Sequence, residues 1–452
     1  MSNNISLKKG LDIPVAGCAE PKVSQVVVGG CVAVRPSDFR GLNPRLLVKE
    51  GDPVQAGSPV LADKKCPEIL ITSPVSGTVK EVVRGDKRKL LAVLIDTDGK
   101  DAAVDFGARK PESLQADQVK HALLESGLWP FIIQRPYGII ADPACSPKAI
   151  FVSAFDTAPL AADPEFTLAD RVADIQAAVT ALAKIAAVHV SLDGSLGSKS
   201  AFDKLSGVQK HYFTGRHPAG NVGIQISHIC PIRKEETVWT VSLEGLAAIG
   251  RLFNEGRVAL KRKVAVGGPA AVNPAYAEML PGAPMKGLSA FYGKADGLRL
   301  VSGDILTGEN VGEDGYLGFH DTQVTILREG TDTELFGWAR PLRFNQYSAD
   351  HSYFHWLLTS KSRRYAMDTN LHGGPRAFVM SDSYYGKVLP MDIYPLYLIK
   401  ACLAGDIEKM EKFGIYEVLP EDLATCEFID PSKNSIQDII QKGIDLMIKE
   451  MA

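Results

Sequence analysis

The chain has 452 residues, which bounds it at about three domains with real cores. It is 45% hydrophobic and 23% charged with a formal net charge of −3, so it offers no electrostatic case for nucleic acid. No apolar run reaches the roughly 18 residues of a membrane span, and seven scattered cysteines without a CxxC suit a reducing cytoplasm rather than a disulfide framework or a zinc site.

Val15-Ala16-Gly17-Cys18 matches a lipoprotein cleavage box, but Asp12 and Pro14 interrupt the short apolar approach to it, so it reads as chance. From Leu47 to Asp96, short apolar runs alternate with turns at Gly51-Asp52, Ala56-Gly57, Ser76-Gly77 and Gly85-Asp86. That spacing predicts a small all-β unit. Leu90 to Ile95 is an unbroken apolar run and reads as a strand buried on both sides. The order EGD-V-G-L, a hairpin, then SPVSGTV resembles the biotinyl/lipoyl hybrid barrel. In carriers of that fold a lysine stands at the hairpin tip, a fixed distance before the proline of the turn. Counted back from Pro74, that place holds Cys66, and Lys64 and Lys65 are out of register. A barrel that carries nothing is therefore expected.

After the barrel the pattern changes to alternating helices and strands. Ser113 to Gly127 reads as a helix capped by Ser113 and stopped by Gly127. Lys148 to Phe155 reads as a buried strand. Leu168 to Ala187 reads as a helix with Val172, Ile175, Val179, Leu182 and Ile185 on its core face, and Ala186 to Leu192 as the next strand. This predicts an α/β layer with a parallel sheet. Neither G-x-G-x-x-G nor G-x-x-x-x-G-K-[ST] occurs. In the stretch between Gly127 and Gly138, bulky Trp129, Pro130, Phe131 and Pro136 would keep the backbone from cradling phosphate. Asp193 to Gly197 reads as a simple turn.

Tyr212 to Pro231 sets Arg216, His217 and His228 among glycines, where they could meet an anion or a quinone carbonyl; the plain alternative is a linking turn with His217 held by backbone. His228 sits in an apolar alternation and reads as a partly buried, satisfied histidine. No second ligand stands at metal spacing. Trp239 to Phe253 continues the layer with a strand and a helix. Lys261 to Val266, Gly287 to Ala290, Leu298 to Val301 and Val324 to Leu327 read as short strands of a β-rich module. The basic run Arg257, Lys261, Arg262, Lys263 reads as a solvated face. Aromatic stretches follow at Phe336-Gly337-Trp338 and Phe354-His355-Trp356. Leu396 to Leu403 and Ser435 to Ile448 read as helices, the last with Ile436, Ile439, Ile440, Ile444 and Met447 at helical spacing.

The whole chain resembles the A subunits of the sodium-translocating NADH:quinone oxidoreductases. The resemblance rests on KKGLDIPVAG (from Lys8), VKEGDPVQAGSPVLADK, SPVSGTVKEVVRGDKRKLL, GRHPAGNVG, VWTVSLEGLAAIGRLF, VSGDILTG, QVTILREG, ELFGWARP and CEFIDPSK, in that order. It implies an α+β multidomain chain: a biotinyl/lipoyl-like hybrid barrel over 1–100, a Rossmann-like α/β domain over 101–257, a β-grasp (SLBB-like) module over 258–330 and a mainly helical end over 331–452. The architecture is also similar to the C subunit of Rnf complexes and to the NADH-binding flavoprotein of complex I. Those relatives use a glycine loop and cysteine-rich segments that this chain lacks. Cys426 is the one remnant of a cluster motif, with Asp430 where cysteine would be needed, and one thiolate cannot hold a four-thiolate cluster. Ser76-Gly77-Thr78 superficially matches a flavinylation motif but falls on a barrel turn.

The resemblance further implies a peripheral protein on the cytoplasmic face of the bacterial inner membrane. It would support quinone reduction coupled to Na⁺ export, with no flavin, iron–sulfur cluster or metal of its own. NADH, FAD, FMN, riboflavin, Fe-S centres and ubiquinone or menaquinone would be handled on or through the B, C, D, E and F subunits. No residue is expected to be catalytic. Arg216, His217, Gly220 and Trp356 are the expected quinone or intersubunit contacts, and whether quinone touches this chain is left open. Attachment to the membrane would be wholly protein-mediated, mostly through the B subunit, by way of Tyr353 to Trp356 and Arg216 to Val222. The alternatives are a biotin or lipoyl carrier, and a flavoprotein of the complex I type.

Overall fold

The computed structural model describes residues 3–27, 30–293, 297–331, 343–349, 360, 362–370 and 382–451. Between Cys31 and Thr97 two small sheets face each other. One has four strands (Cys31–Val34, Leu90–Thr97, Gly77–Arg84, Pro53–Val54) and the other three (Pro44–Leu46, Pro59–Asp63, Leu70–Thr72). Val32, Val60, Leu61, Ile71, Val79, Val93 and Ile95 fill the space between them. The Leu90 run is not buried throughout: Leu91 is 44% exposed. The reason is register. Cys31–Val34 pairs with the run only from Val93 to Asp96, so the outer half of the hairpin projects beyond its neighbour.

The hairpin tip after Asp63 is docked rather than free. Lys64 N–H donates to Asn43 O at 2.8 Å, and Cys66 packs against the core that the barrel shares with the next unit.

The α/β unit is built on a seven-stranded sheet. Asn3–Ser6, Gln209–Thr214, Val188–Asp193, Ile150–Ser153 and Val238–Val241 run parallel in that spatial order, and Ile132–Arg135 and Ile139–Ile140 complete it antiparallel. The helix Val172–Leu182 buries Ile175, Val179 and Leu182, as its periodicity predicts. Leu243–Glu255 is started by Ser242, whose Oγ accepts the Gly245 N–H, and stopped by left-handed Gly256. The helix after Ser113 begins later than the sequence suggests, at Ala116, because Pro111–Ser113 forms its own helical turn and Gln118 reaches back to Gln115 N–H at 2.9 Å. Trp129 and Trp239 meet edge to face at 5.4 Å in the core, a pairing worth about 0.5–1.5 kcal/mol beyond burial.

A third sheet has the order Glu309–Asn310, Leu298–Ser302, Gln323–Arg328, Arg262–Gly267, Ala275–Met279, Glu20–Val26. Asn3–Ser6 and Glu20–Val26 both precede the barrel strands in sequence, yet they pair in the other two sheets. The expected strand at Gly287 to Ala290 is instead helical, Met285–Leu288 continuing into Ser289–Tyr292. Met285, Leu288 and Phe291 are buried, and their spacing of three fits a helical turn rather than a pleat. Arg262 is no part of a solvated face. It is 6% exposed and its guanidinium donates to Gly318 O at 3.2 Å, whereas Lys261 and Lys263 pair with Glu278 and Asp170 near the surface.

The described residues beyond 381 are helical: Asp382–Val388, Pro395–Ala404, Ile407–Phe413, Ala424–Ile429 and Ile436–Met451. Ile436, Ile440, Ile444 and Met447 form the buried stripe of the last helix. This core continues into the α/β unit through Leu7, Phe213, Ala219 and Ile224.

Candidate functional site

In an open parallel sheet, ligands sit outside the carboxyl ends of the strands where the strand order reverses. Here the chain steps from Ile150–Ser153 to Val188–Asp193 to Gln209–Thr214, then returns to place Val238–Val241 on the other side of Ile150–Ser153. The reversal therefore lies beside Ser153 and Val241. On the Val241 side, the crevice is filled. Phe131 precedes Ile132, the residue paired with Val241, and its ring lies against Gly245 in the first turn of the helix that follows. A Cβ at position 245 would meet Phe131 Cδ1 at 3.0 Å. Phe319 packs tilted against Phe131 at 4.9 Å between ring centres and Phe39 against Phe319 at 4.6 Å, so three units contribute to one aromatic plug. Phosphate needs open backbone N–H groups at such a helix start; here Phe131 crowds Gly245, whose N–H is already taken by Ser242 Oγ.

On the Ser153 side, two loops lock together. Thr157 Oγ1 accepts the Gly220 N–H at 2.9 Å and lies 3.1 Å from His217 Nδ1. Ser153 Oγ donates to Gly220 O at 2.9 Å, and Gln225 Nε2 donates to Ser153 Oγ at 2.8 Å. Gly220 is required by the approach itself, because a Cβ there would meet Thr157 N at 2.6 Å. A third loop closes from the amino-terminal strand. Asp12 accepts the His217 N–H at 3.2 Å, and Leu11 N–H donates to His217 O at 2.7 Å. A fourth contact comes from the helical end, where Asn221 Nδ2 donates to Glu421 O at 3.1 Å.

His217 is 4% exposed. Burial pushes its imidazole below the ordinary histidine range, against the pull of Asp156, Asp304, Asp12 and Asp422. The ring is thus held neutral. Thr157 Oγ1, which accepts the Gly220 N–H, shares a hydrogen bond with Nδ1, donating in one tautomer of the ring and accepting in the other. No partner for Nε2 stands among the described residues. Arg216 is different: its side chain is 67% exposed, and among the described residues its one ionic neighbour is Asp12, at 3.9 Å and equally open to water. The arrangement sets a buried neutral imidazole beside an exposed guanidinium, a combination suited to a carbonyl oxygen or a small anion.

The structure thus joins Arg216, His217 and Gly220 in one loop. Trp356, with the rest of Tyr353 to Trp356 and Phe336 to Trp338, lies outside the described residues. His228 is not within a strand alternation. It is exposed in the last turn of the helix Val222–Ile229, 2.9 Å from Ile224 O through Nδ1. Thr157, Asp12 and Gln225 do not stand out in the sequence, since a lone threonine or aspartate after an apolar run carries no local signal. Arg135 does not stand out either. It is 2% exposed and bridges Asp422 at 2.9 Å and Glu421 at 2.6 Å, and Glu421 O in turn accepts from Asn221 after the same loop. Cys426 and Asp430 are fully buried, and Asp430 accepts from Asn434 N and Nδ2 at 2.8 Å each, a helix-start contact. No group of three or more metal-ligating side chains is found among the described residues.

Residues 5–98 match the family described as the NqrA N-terminal barrel-sandwich hybrid domain, and residues 114–258 match the NqrA second alpha/beta domain. The A subunit of the Na(+)-translocating NADH-quinone reductase of Yersinia pseudotuberculosis is 36% identical over 433 residues, covering 95% of this chain and 96% of that protein. The chain belongs to this family of A subunits. Its relatives of the same name in Shewanella frigidimarina and Neisseria meningitidis are 35% and 33% identical, each over 99% of this chain. Among solved structures, an NAD+-reducing [NiFe]-hydrogenase in the air-oxidized state overlaps 72% of this chain and 63% of its own, with 12% identity and a TM-score of 0.38, too low to argue from. Among the described residues, no helix of this NqrA-family chain is long and apolar enough to cross a membrane.

Proposed function

We propose that this chain is the peripheral, cytoplasmic-side NqrA component of a Na⁺-pumping NADH:quinone oxidoreductase, and that the loop Arg216 to Gly220 meets a quinone headgroup there. The reaction of the complex passes electrons from NADH to quinone and exports Na⁺. The chain supports the quinone end of it and carries no flavin or iron–sulfur centre. Flavins, clusters and the NADH site belong to the partner subunits, with the B subunit as the main anchor. Within the chain, the seven-stranded layer is Rossmann-like, the sheet around Arg262–Gly267 is of β-grasp type, and the helical end closes the cleft.

The observation that carries this reading is the His217–Thr157–Gly220 lock. It fixes a buried neutral imidazole beside the exposed Arg216. Such donors favour a quinone carbonyl, whose oxygens gain negative charge on reduction. The Phe131 plug on the other side of the reversal favours the absence of a nucleotide. A photoreactive quinone analogue added to the assembled complex tests this. Label within residues 150–160 or 209–229, displaced by unlabelled quinone, supports the reading; label confined to the other subunits overturns it.

A further inference from the structure

We propose that the hairpin tip Arg84 to Leu91 is a lipid-contact finger that rests on anionic phospholipid headgroups. The strands Gly77–Arg84 and Leu90–Thr97 project beyond Cys31–Val34; Leu90 packs back against the core, while Arg84, Asp86 to Lys89 and Leu91 are exposed. It carries Arg84, Lys87, Arg88 and Lys89 against a single acid, Asp86, in a chain whose overall charge is −3. No carboxylate pairs with any of these four cations among the described residues. Arg84 instead folds over the turn and donates to Arg88 O at 3.2 Å.

Two further features separate the tip from an ordinary solvated turn. Lys87 and Arg88 both lie in the left-handed region, at φ 53° and 61°, where glycine or asparagine is the usual choice. Long cationic side chains thus stand at two consecutive positions that disfavour them, and all four cations of the tip are exposed. Leu91, 44% exposed, lies over Gly85 on the flank of the same tip. A crown of cations beside an exposed apolar side chain is the chemistry of a membrane interface, where lysine and arginine meet phosphate and leucine enters the acyl boundary. The tip is convex. It fits a flat charged sheet of headgroups, whereas an acidic protein would need a matching hollow.

Four cations give only weak binding alone, so the finger would add to a protein-held attachment rather than replace it. It does amend the expectation that attachment is wholly protein-mediated. The inference stands apart from the quinone reading, because none of its residues belongs to the 216–220 loop.

The test uses the full chain with phosphatidylcholine vesicles, with and without phosphatidylglycerol. Co-sedimentation should require phosphatidylglycerol and fall with salt. K87N/R88N/K89N, which keeps side chains that tolerate the turn, should lower vesicle affinity by roughly 100-fold, at about fivefold per cation. K64N/K65N, a similar loss of charge at another exposed turn, should leave it within about twofold if position rather than net charge matters. Leu91→Ser should weaken binding without altering its salt dependence. Equal losses in the tip and control variants overturn the proposal, as does the absence of phosphatidylglycerol-dependent binding. If the tip variant leaves vesicle binding unchanged yet releases the chain from its partner subunits, the tip docks on acidic protein and the proposal is again wrong.

Discussion

Arg135 and Asp422 meet at 2.9 Å in the protein interior although 287 residues separate them. Arg135 ends a strand of the α/β sheet, and Asp422 stands in a helical turn of the carboxyl-terminal unit. Asp422 also accepts the Leu419 N–H at 3.0 Å, so one carboxylate oxygen orders its own turn and holds the guanidinium. Each partner is incompletely satisfied: among the described residues, Arg135 Nε and Asp422 Oδ1 have no hydrogen bond. Burial disfavours both charges, and their mutual attraction, with Glu421, offsets that cost; Arg135 stays charged, its pKa raised by both carboxylates.

This latch should be far costlier to break than to replace. Asp422→Ala leaves the buried guanidinium with Glu421 as its remaining carboxylate and should destabilise by up to about 3–5 kcal/mol. Replacing both partners, as Arg135→Met with Asp422→Leu, should cost clearly less than the single change. Denaturant midpoints of the isolated chain decide this. A double variant as unstable as the sum of the singles would mean that the pair is not coupled.

A second relationship predicts a pH response. Phe151, His189 and His211 stack across neighbouring strands, with His189 Nδ1 3.0 Å from His211 Nε2. Burial first, then the neighbouring His211, lowers His189 from 6.5 to about 4. The unfolded imidazole takes up its proton near pH 6.5, and the folded one resists until about pH 4. The unfolded chain therefore binds more protons across that window, so stability is full above it and falls as pH drops through it. His189→Gln should flatten this fall in a series of denaturant midpoints against pH. An unchanged slope would show that His189 does not carry it.

Much of the fold is legible in the sequence because it rests on local periodicity. The stripe Ile175, Val179, Leu182 and the alternating turns of the barrel each point to one partner surface. What the sequence hides depends on contacts distant along the chain. Nothing near Asn3–Ser6 says that it will pair with Gln209–Thr214, and a basic run does not reveal that Arg262 turns inward to carbonyls of another loop. Glycines draw attention to the 216–220 loop, since close approach leaves a mark in sequence. The residues that lock it, Thr157 and Asp12, leave none.

The aromatic plug gives a spectroscopic expectation. Trp129, Pro130 and Phe131 are too bulky for a phosphate cradle, and Phe131 does lie over the start of the helix Leu243–Glu255. The purified chain should be colourless, with no stoichiometric flavin or iron–sulfur band in its absorption spectrum. Phe131→Ala should cost about 3–5 kcal/mol, mostly as a cavity beside Phe319. A native chain that retains flavin through gel filtration would contradict the plug's role.

The most direct test compares two electron acceptors in the purified whole complex carrying His217→Ala or Arg216→Ala. NADH oxidation with an artificial acceptor reports the upstream flavin; quinone reduction reports the end served by this chain. Quinone reduction should fall severalfold or more for His217→Ala while the artificial-acceptor rate is unchanged and all subunits co-purify. Equal loss of both activities in a fully assembled complex, or loss of neither, would contradict the assignment of the Arg216 to Gly220 loop to the quinone end of the pump.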